Sequence, residues 1–319
     1  MIVSLDFDLG KGNLGAIAVD HQAAQGSVTE DVHVMARDGF AGFRGACGSG
    51  GSMSHISVQG GRFGLYLDDL EPGRYRGSQP SPVISCVKLI GQSEKSIVCG
   101  TRGPLTLVGA TINGAGLQLV DAGQPFNSAL NLIDSSIRLA RADETAISGS
   151  RPLCMINVAF ESVRQIAAIE NIAPLTVEET GQTVVQRYAA GPSPQYPVWL
   201  NGKKTIQPVC DITSSDVPLS QIDQSHRWTD PLPAWNEEEV ANVRKARCAA
   251  KGDGQTDDTA ALQQAIDESR CVFLPKGIYR ISRPLRLRSD TKSFGRGVHS
   301  KLVPVGGDFA DPSSPSPRL

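Results

Sequence analysis

Short stretches of alternating apolar and polar residues recur along the first half of the chain. Their inward positions are predicted to be Val34, Val58, Leu89, Leu107, Leu132 and Val158. These residues follow one another at steps of 24, 31, 18, 25 and 26 positions, and secondary strand patterns fall between them at 40–43, 64–67 and 116–119. A period of this size predicts a solenoid with two or three strands per coil, in which each coil buries its inner face on its neighbours.

The composition agrees with many short strands joined by tight turns. Aromatic residues make up only 5% of the chain, which holds 33 glycines and 20 prolines. Such a profile does not favour a helical bundle. A β-sandwich is the alternative architecture, because it also places short strands at regular spacing.

A different pattern begins at Lys251. Gly252 and Gly254 provide backbone freedom for a sharp turn. Thr256 or Asp257 is predicted to cap a helix that runs to about Glu268. The buried side of this helix is predicted to be the stripe of Leu262, Ala265 and Ile266. Residues 272–274 then read as a buried strand and 275–277 as a turn, so this segment predicts a turn, a helix and strands in quick succession.

The residues of this segment carry a family resemblance. The run GDGQTDDTAALQQAI, followed by VFLPKGIYRIS, resembles the start of the pectate-lyase-like right-handed parallel β-helix over about residues 251–303. It is similar to the version in rhamnogalacturonase/epimerase-like domains and in the tandem β-helix exo-β-1,3-glucanases of glycoside hydrolase family 55. The resemblance implies that the helix caps the open end of a coil stack. It also implies that Asp253, Asp257 and Asp258 are turn and cap residues rather than catalysts.

The predicted fold class is therefore all-β, a right-handed parallel β-helix in a tandem arrangement with the second helix truncated. Residues 1–170 are predicted to form a first β-helix that lacks its N-terminal coils, and 171–250 an interdomain linker. Residues 251–305 are predicted to form the cap and first coils of a second β-helix, and 306–319 a disordered tail. By resemblance, the chain is expected to be a fragment of a longer tandem protein.

Several kinds of site are excluded by the sequence. The net charge of −2 gives no electrostatic case for nucleic acid or for an anionic membrane, and no apolar run is long enough to span a bilayer. Seven cysteines without a C-x-x-C pair, and five histidines without metal spacing, predict no metal site. Residues 10–15 match G-x-G-x-x-G, but the strand-like segment 16–20 follows where a dinucleotide site needs a helix. No cofactor is expected, and no signal peptide is recognised, although the resemblance implies an extracellular location.

The candidate chemistry is that of polysaccharides. Glycoside hydrolysis uses two carboxyl groups across the scissile bond, and the isolated acids that qualify by type are Asp68, Asp69, Asp134, Asp143, Glu144 and Glu161. Their spacing singles out none of them. The resemblance places the catalytic acid in later coils of the second helix, a motif position that no residue here matches, so the catalytic residues stay unassigned.

The resemblance implies a polysaccharide substrate, either β-glucan or pectic. It implies exo-β-1,3-glucanase-like hydrolysis in the intact parent protein, and we expect this chain alone to be inactive. Two alternatives stay open. One is a uronate-acting lyase or polygalacturonase-like hydrolase, and the other is a non-enzymatic glycan-binding or structural β-helix.

The three tryptophans, Trp199, Trp228 and Trp235, all fall within the predicted linker. Their rings can stack on the C–H faces of sugars, or they can act as buried anchors between the linker and the two helices. Buried anchors are the favoured prediction, because aromatic residues commonly serve this purpose between domains.

Overall fold

The computed structural model describes residues 1–68, 82–121, 128–177, 181–193, 195–214, 218–222, 226, 233–245, 247–306 and 309. The chain divides into two compact units, Met1–Arg227 and Trp228–Leu319.

The first unit is built almost entirely from short strands. In chain order they are β1 (Ile2–Asp8), β2 (Ile17–Asp20), β3 (Val28–Arg37), β4 (Ala41–Arg44), β5 (Ser52–Gly60), β6 (Phe63–Leu67), β7 (Val83–Ser85), β8 (Lys88–Ile90), β9 (Lys95–Cys99), β10 (Leu105–Val108), β11 (Thr111–Gly114), β12 (Leu117–Leu119), β13 (Leu130–Leu139), β14 (Thr145–Gly149), β15 (Leu153–Glu161), β16 (Gln165–Ile169), β17 (Leu175–Thr176), β18 (Gln182–Ala190), β19 (Val198–Leu200), β20 (Lys203–Thr205) and β21 (Val209–Ser214). One short helix, α1 (Leu219–Ile222), follows them.

Two sheets run along this unit. The first has the order β1–β3–β5–β7–β10–β13–β15–β18–β21, with β8 and β11 paired beside β5 and β13, and the second has the order β17–β16–β14–β12–β9–β6–β4–β2. As far as β15 in the first sheet and β16 in the second, neighbouring strands of successive coils are parallel. This pairing confirms the parallel β-solenoid, and the described parts of the two units together contain about 11 turns. It excludes the β-sandwich, whose sheets are antiparallel.

Inward-facing side chains form columns along the stack. One column of the first sheet contains Phe7, Val34, Val58, Leu89, Ile112, Ile137 and Phe160. A second column of the same sheet contains Thr29, Met53, Ile84, Leu107, Leu132 and Met155. The facing column of the second sheet contains Val19, Phe43, Leu65, Ile97, Leu117, Ile147 and Ala167. Almost all of these side chains are buried in one continuous core.

The six residues predicted to point inward are all buried, which confirms that part of the prediction. Their assumed equivalence is wrong, because Val34, Val58 and Leu89 belong to the first column, Leu107 and Leu132 belong to the second, and Val158 belongs to neither. Leu89 pairs with Ile112 rather than with Leu107, and Val158 pairs with Ser135 rather than with Leu132. The coils from Val34 to Phe160 are therefore 24, 31, 23, 25 and 23 residues long, and the 18-residue step does not exist.

A bend between the two columns explains the error. Each coil of the first sheet bends at one residue with a left-handed backbone, with φ between 47° and 66°, namely Ser4, Asp31, His55, Cys86, Gly109, Asp134 and Asn157. A residue in this conformation interrupts the two-residue alternation of a strand, so inward positions on its two sides differ by an odd number of residues. Only one of the seven is glycine, so stacking on the neighbouring coils holds a conformation that most of these residues do not favour alone.

The last strands of the first sheet pair in the opposite direction from the strands before them. Strands β18 and β21 pair antiparallel, β18 with β15 and β21 with β18. Helix α1 packs beside them, where Ile222 joins Ala159 and Val184 in a small outer cluster. Strands β18 and β21 fall within the stretch predicted to be a linker, and here they extend the first sheet, whereas β19 and β20 form a separate hairpin.

The second unit contains a shorter stack. Its elements are β22 (Val240–Asn242), β23 (Asp253–Asp257), α2 (Thr259–Glu268), β24 (Cys271–Leu274), β25 (Gly277–Ile281), β26 (Lys292–Gly295), a 3₁₀ turn (Gly297–His299) and β27 (Ser300–Pro304). The strands form two parallel sheets, β22–β24–β26 and β23–β25–β27. The helix ends at the predicted residue, and its predicted stripe of Leu262, Ala265 and Ile266 is buried in the core of this unit.

Replacing Leu107 with aspartate tests whether the inward columns hold the first unit together. Leu107 is 0% exposed, so an unpaired carboxylate there should cost several kcal/mol and unfold the unit. Ile90→Asp is the matched control, because Ile90 is 40% exposed on the outer face of the same sheet. Circular dichroism and thermal unfolding should show loss of the β signal for Leu107→Asp only. A folded Leu107→Asp protein with an unchanged melting temperature would contradict the packing.

Candidate functional site

Residues 251–268, the turn and helix at the start of the second stack, are called here the start module, and the three acids of its turn accept hydrogen bonds from nearby backbone and hydroxyl groups. Asp258 is only 1% exposed, and its two carboxylate oxygens accept hydrogen bonds from the backbone N–H groups of Lys251 at 2.6 Å and Gly252 at 2.9 Å. Asp253 accepts from the backbone N–H groups of Gln255 and Thr256, each at 2.8 Å. The Thr256 N–H group is the main cause that lowers the pKa of Asp253 to about 2.

The helix start differs from the prediction by one residue. Asp258, not Thr256 or Asp257, occupies the N-cap position, and its side chain makes no capping bond. The carboxylate of Asp257 instead accepts from the backbone N–H of Thr259 at 3.0 Å and from the Ser282 hydroxyl at 2.6 Å. The Ser282 hydroxyl is the largest of the causes that lower the pKa of Asp257 to about 2. All three acids therefore hold the turn and the next coil, the role that the resemblance implies.

Three of the isolated acids that the structure describes in the first unit each have a partner of their own. Asp143 lies 2.9 Å from Arg141, Glu161 lies 2.5 Å from Arg138, and Asp134 accepts a hydrogen bond from Asn157 at 2.7 Å. Asp68 directly follows β6, and Asp69 lies outside the described residues.

Two carboxylates of the first unit do line one cavity. This cavity of about 250 Å³ is lined by Gln92, Ser93, Glu94, Gly114, Ala115, Ala140, Arg141 and Glu144. Glu144 accepts from Lys95 Nζ at 2.7 Å and from the backbone N–H of Gly116 at 3.0 Å, and Glu94 accepts from Arg62 Nε at 2.6 Å. A general acid for glycoside hydrolysis must carry a proton, whereas both of these groups sit in ion pairs. The arrangement suits hydrogen bonding to sugar hydroxyls better than proton transfer.

Sequence reasoning missed Glu94. Glu94 and Glu144 are 50 positions apart and come from different coils, so no local spacing connects them. Only the coil register of β9, β12 and β14 would have placed them near each other.

The second unit has an aromatic pocket of about 570 Å³, lined by Trp235, Asn242, Arg244, Phe273, Pro275, Lys276, Arg296 and His299. The ring of Trp235 lies 6.0 Å from that of Phe273, which in turn lies 5.4 Å from the ring of Phe294. Trp235 remains 57% exposed, so one part of its ring packs on Phe273 and another part faces solvent. A partly exposed indole of this kind presents an apolar surface to a ligand.

The prediction of buried tryptophan anchors does not match the exposure of these side chains. Trp235 is more than half exposed, and Trp199, on the hairpin of β19 and β20, is 65% exposed. Trp199 lines a separate apolar cavity of the first unit together with Tyr196. Trp228 lies outside the described residues.

The described part of the chain contains no group of three or more His, Cys, Asp or Glu side chains arranged to hold a metal ion. Its helices include none that is long and apolar enough to cross a bilayer. After the G-x-G-x-x-G segment at 10–15, the chain enters strand β2 (Ile17–Asp20) rather than the helix that would bind a pyrophosphate.

Comparison with known proteins connects this geometry to a family. Residues 240–309 match the family model described as rhamnogalacturonase A/epimerase, pectate lyase-like, and this range contains the stack and capping helix of the second unit. The chain resembles the pectate-lyase-like parallel β-helix proteins.

Curated relatives extend this similarity to the rest of the chain. A glucan 1,3-beta-glucosidase from Cochliobolus carbonum is 22% identical over 319 residues, which is 96% of this chain and 39% of the relative. The non-secreted LysM effector LysM19 from Penicillium expansum is 23% identical, over 95% of this chain and 25% of the relative. A probable glucan endo-1,3-beta-glucosidase from Arthroderma benhamiae is 34% identical over 73 residues, 22% of this chain and 8% of the relative. The chain thus spans less than half the length of each of these relatives.

Asp258→Asn tests whether this buried carboxylate holds the start module. The substitution leaves one of the two backbone N–H groups without its charged acceptor, a loss on the order of 1.5–3 kcal/mol. Hydrogen exchange of the full chain should become faster in the peptides that cover α2. Asp267→Asn is the control, because Asp267 lies on the exposed side of the same helix and a surface change should stay within about 0.5 kcal/mol. Equal exchange in the two variants would contradict a structural role for Asp258.

The lowered pKa of Asp257 predicts a pH dependence of stability. A folded-state pKa of about 2, against an ordinary value of 3.8, gives a stabilisation that is present above pH 4 and is lost as the pH falls to 2. Asp257→Asn should therefore lower the melting temperature of the second unit at pH 5, and the difference from the unaltered chain should shrink toward pH 2. A difference that stays constant from pH 5 to pH 2 would show that the Asp257 carboxylate contributes no such linkage.

Proposed function

We propose that this chain is part of a carbohydrate-active β-helix protein whose full-length form hydrolyses β-1,3-glucan from chain ends. The observation that carries the proposal is the similarity to a glucan 1,3-beta-glucosidase, which covers 96% of this chain and therefore includes both units. The two solenoid units agree with the tandem layout that such a protein would need. The fold alone would not identify this function, because one fold supports many functions.

Within that protein, this chain contributes glycan contacts rather than the reaction itself. Asp134, Asp143, Glu144 and Glu161 of the first unit are held in ion pairs or hydrogen bonds, and the acids at the start of the second unit hold a turn. The cavity of Glu94 and Glu144 provides charged and amide groups for sugar hydroxyls, and the pocket of Trp235 provides an aromatic surface. We therefore propose that the chain alone binds glycan without hydrolysing it.

Two alternatives differ in substrate and in chemistry. A uronate-acting lyase or hydrolase is favoured by the pectate-lyase-like match over 240–309 and by the basic side chains around the pocket of Trp235. A non-enzymatic role, as a glycan-binding or structural β-helix, is favoured by a relative that is named as an effector and not as an enzyme and that matches 95% of this chain. The proposed location is extracellular, as for a glucan-degrading enzyme, although the Penicillium expansum relative is named a non-secreted effector.

A reducing-sugar assay on laminarin with the full chain tests this proposal. We expect co-sedimentation with insoluble β-1,3-glucan and no release of reducing sugar, with a commercial laminarinase as the positive control. Polygalacturonate in a parallel assay separates the uronate-acting alternative. Turnover of laminarin at roughly 1 per second or more would contradict the proposal that this chain binds glycan without hydrolysing it. Glu94 and Glu144 would then be the first acids to replace with alanine. Failure to bind laminarin, cellulose or polygalacturonate would contradict the carbohydrate role altogether.

A further inference from the structure

The pocket of Trp235 is bordered by positive charge. Arg244, Lys276 and Arg296 line it together with His299, and no carboxylate occurs among its described lining residues. None of the three permanent cations forms an ion pair with a residue that the structure describes. Arg244 donates instead to the backbone carbonyl of Gly252 at 3.0 Å and lies over the ring of Tyr279. Three cations thus share one pocket, and no acidic side chain that the structure describes lines it with them.

The stacking of coils places both parts of this pocket. Asn242, Phe273 and Phe294 are aligned in register on β22, β24 and β26 and form a column on the outer face of the sheet. Shortly after this column each coil has a cation, which is Arg244 in the first, Lys276 in the second and Arg296 in the third. An aromatic surface and a row of cations therefore run side by side, both repeated from coil to coil.

An aromatic surface beside a row of cations favours one class of ligand, an anion attached to a sugar ring. Gathering like charges without a counter-ion creates a positive potential that attracts anions. A guanidinium group binds a carboxylate or a phosphate through two parallel hydrogen bonds. A lysine ammonium group binds the same anions as a single point charge. The exposed face of Trp235 offers an apolar surface to the C–H groups of a sugar ring. A neutral glucan would use the ring surface but would leave all three cations unmatched.

We propose that this pocket binds an anionic sugar unit of a glycan, with the ring on Trp235 and the carboxylate, phosphate or sulfate group on Arg244, Lys276 and Arg296. Its volume of about 570 Å³ accommodates a small saccharide, since ligand pockets typically measure about 300–1,000 Å³. The inference rests on the proposed carbohydrate role but not on β-1,3-glucan as the substrate. It adds a second specificity to the chain, directed at the acidic units of a glycan.

Quenching of tryptophan fluorescence and calorimetric titration of the full chain test this inference. The probes are trigalacturonate, sulfated laminaritriose, phosphorylated laminaritriose, neutral laminaritriose and inorganic phosphate. We expect the anionic sugars to bind at least about tenfold more tightly than laminaritriose. Whichever of the three anionic probes binds best identifies whether the anion is a carboxylate, a sulfate or a phosphate.

The variants Arg296→Gln and Lys276→Gln should each weaken binding of the anionic sugars by roughly tenfold and leave laminaritriose unchanged. Trp235→Ala should weaken binding of every sugar probe. Arg247→Gln is the matched control, since it removes the same charge from an exposed arginine that pairs with Glu268 outside this pocket. Circular dichroism confirms that each variant is folded. If Arg296→Gln and Lys276→Gln weaken binding alike, a local structural defect in one of them does not explain the loss.

Two results would overturn the inference. One is equal affinity for the anionic and neutral trisaccharides, with no effect of Arg296→Gln or Lys276→Gln. The other is inorganic phosphate binding as tightly as the anionic sugars, with no effect of Trp235→Ala, which would indicate an anion site without sugar recognition. Failure of the proposed glucan role has a different signature, because the chain would then not bind laminarin while the anionic sugars still bound this pocket.

Discussion

Contact between the inner side chains of successive coils is the interaction on which the rest of this structure depends. Each coil contributes one residue to each inward column, so a coil has no core until its neighbours are in place. Aliphatic and aromatic side chains fill these columns, and the parallel ladders between the coils fix their register. Even the bend at His55 and Cys86, which neither residue favours alone, is held because the same bend is present in the coils on either side.

The same stacking determines where chemistry can arise. A side chain on one coil has its nearest functional neighbours about one coil length away in sequence, as with Phe273 and Phe294. Outward-facing side chains at equivalent positions of successive coils therefore form rows along the stack. Such a row can be acidic, aromatic or basic. The pocket of Trp235 combines two such rows, whereas the acids of the start module hold one turn together and leave no carboxylate for a substrate. Carbohydrate contact is what this distribution supports best.

Much of the fold could be predicted because its signals are local. The strand alternation, the capping helix and its buried stripe at Leu262 and Ile266 follow from patterns within a few residues of one another. The column equivalences could not be predicted, because residues of several types adopt the left-handed bend. The sequence therefore does not mark where a bend such as that at Gly109 shifts the alternation. The antiparallel pairing of β18 and β21 and the shared cavity of Glu94 and Glu144 were missed for a related reason, since both depend on which distant segment lies alongside.

Cross-linking between coils tests the register most directly. Lys88 is the aligned neighbour of Thr111 on the next coil, whereas an 18-residue step would align it with Thr106. Cysteines at 88 and 111 should be joined by a short bifunctional thiol reagent in the folded chain, and peptide mass spectrometry would separate this product from links to the native cysteines. Cysteines at 88 and 106 should remain unlinked to each other. Efficient linkage of 88 to 106, without linkage of 88 to 111, would contradict the stacking described for this protein.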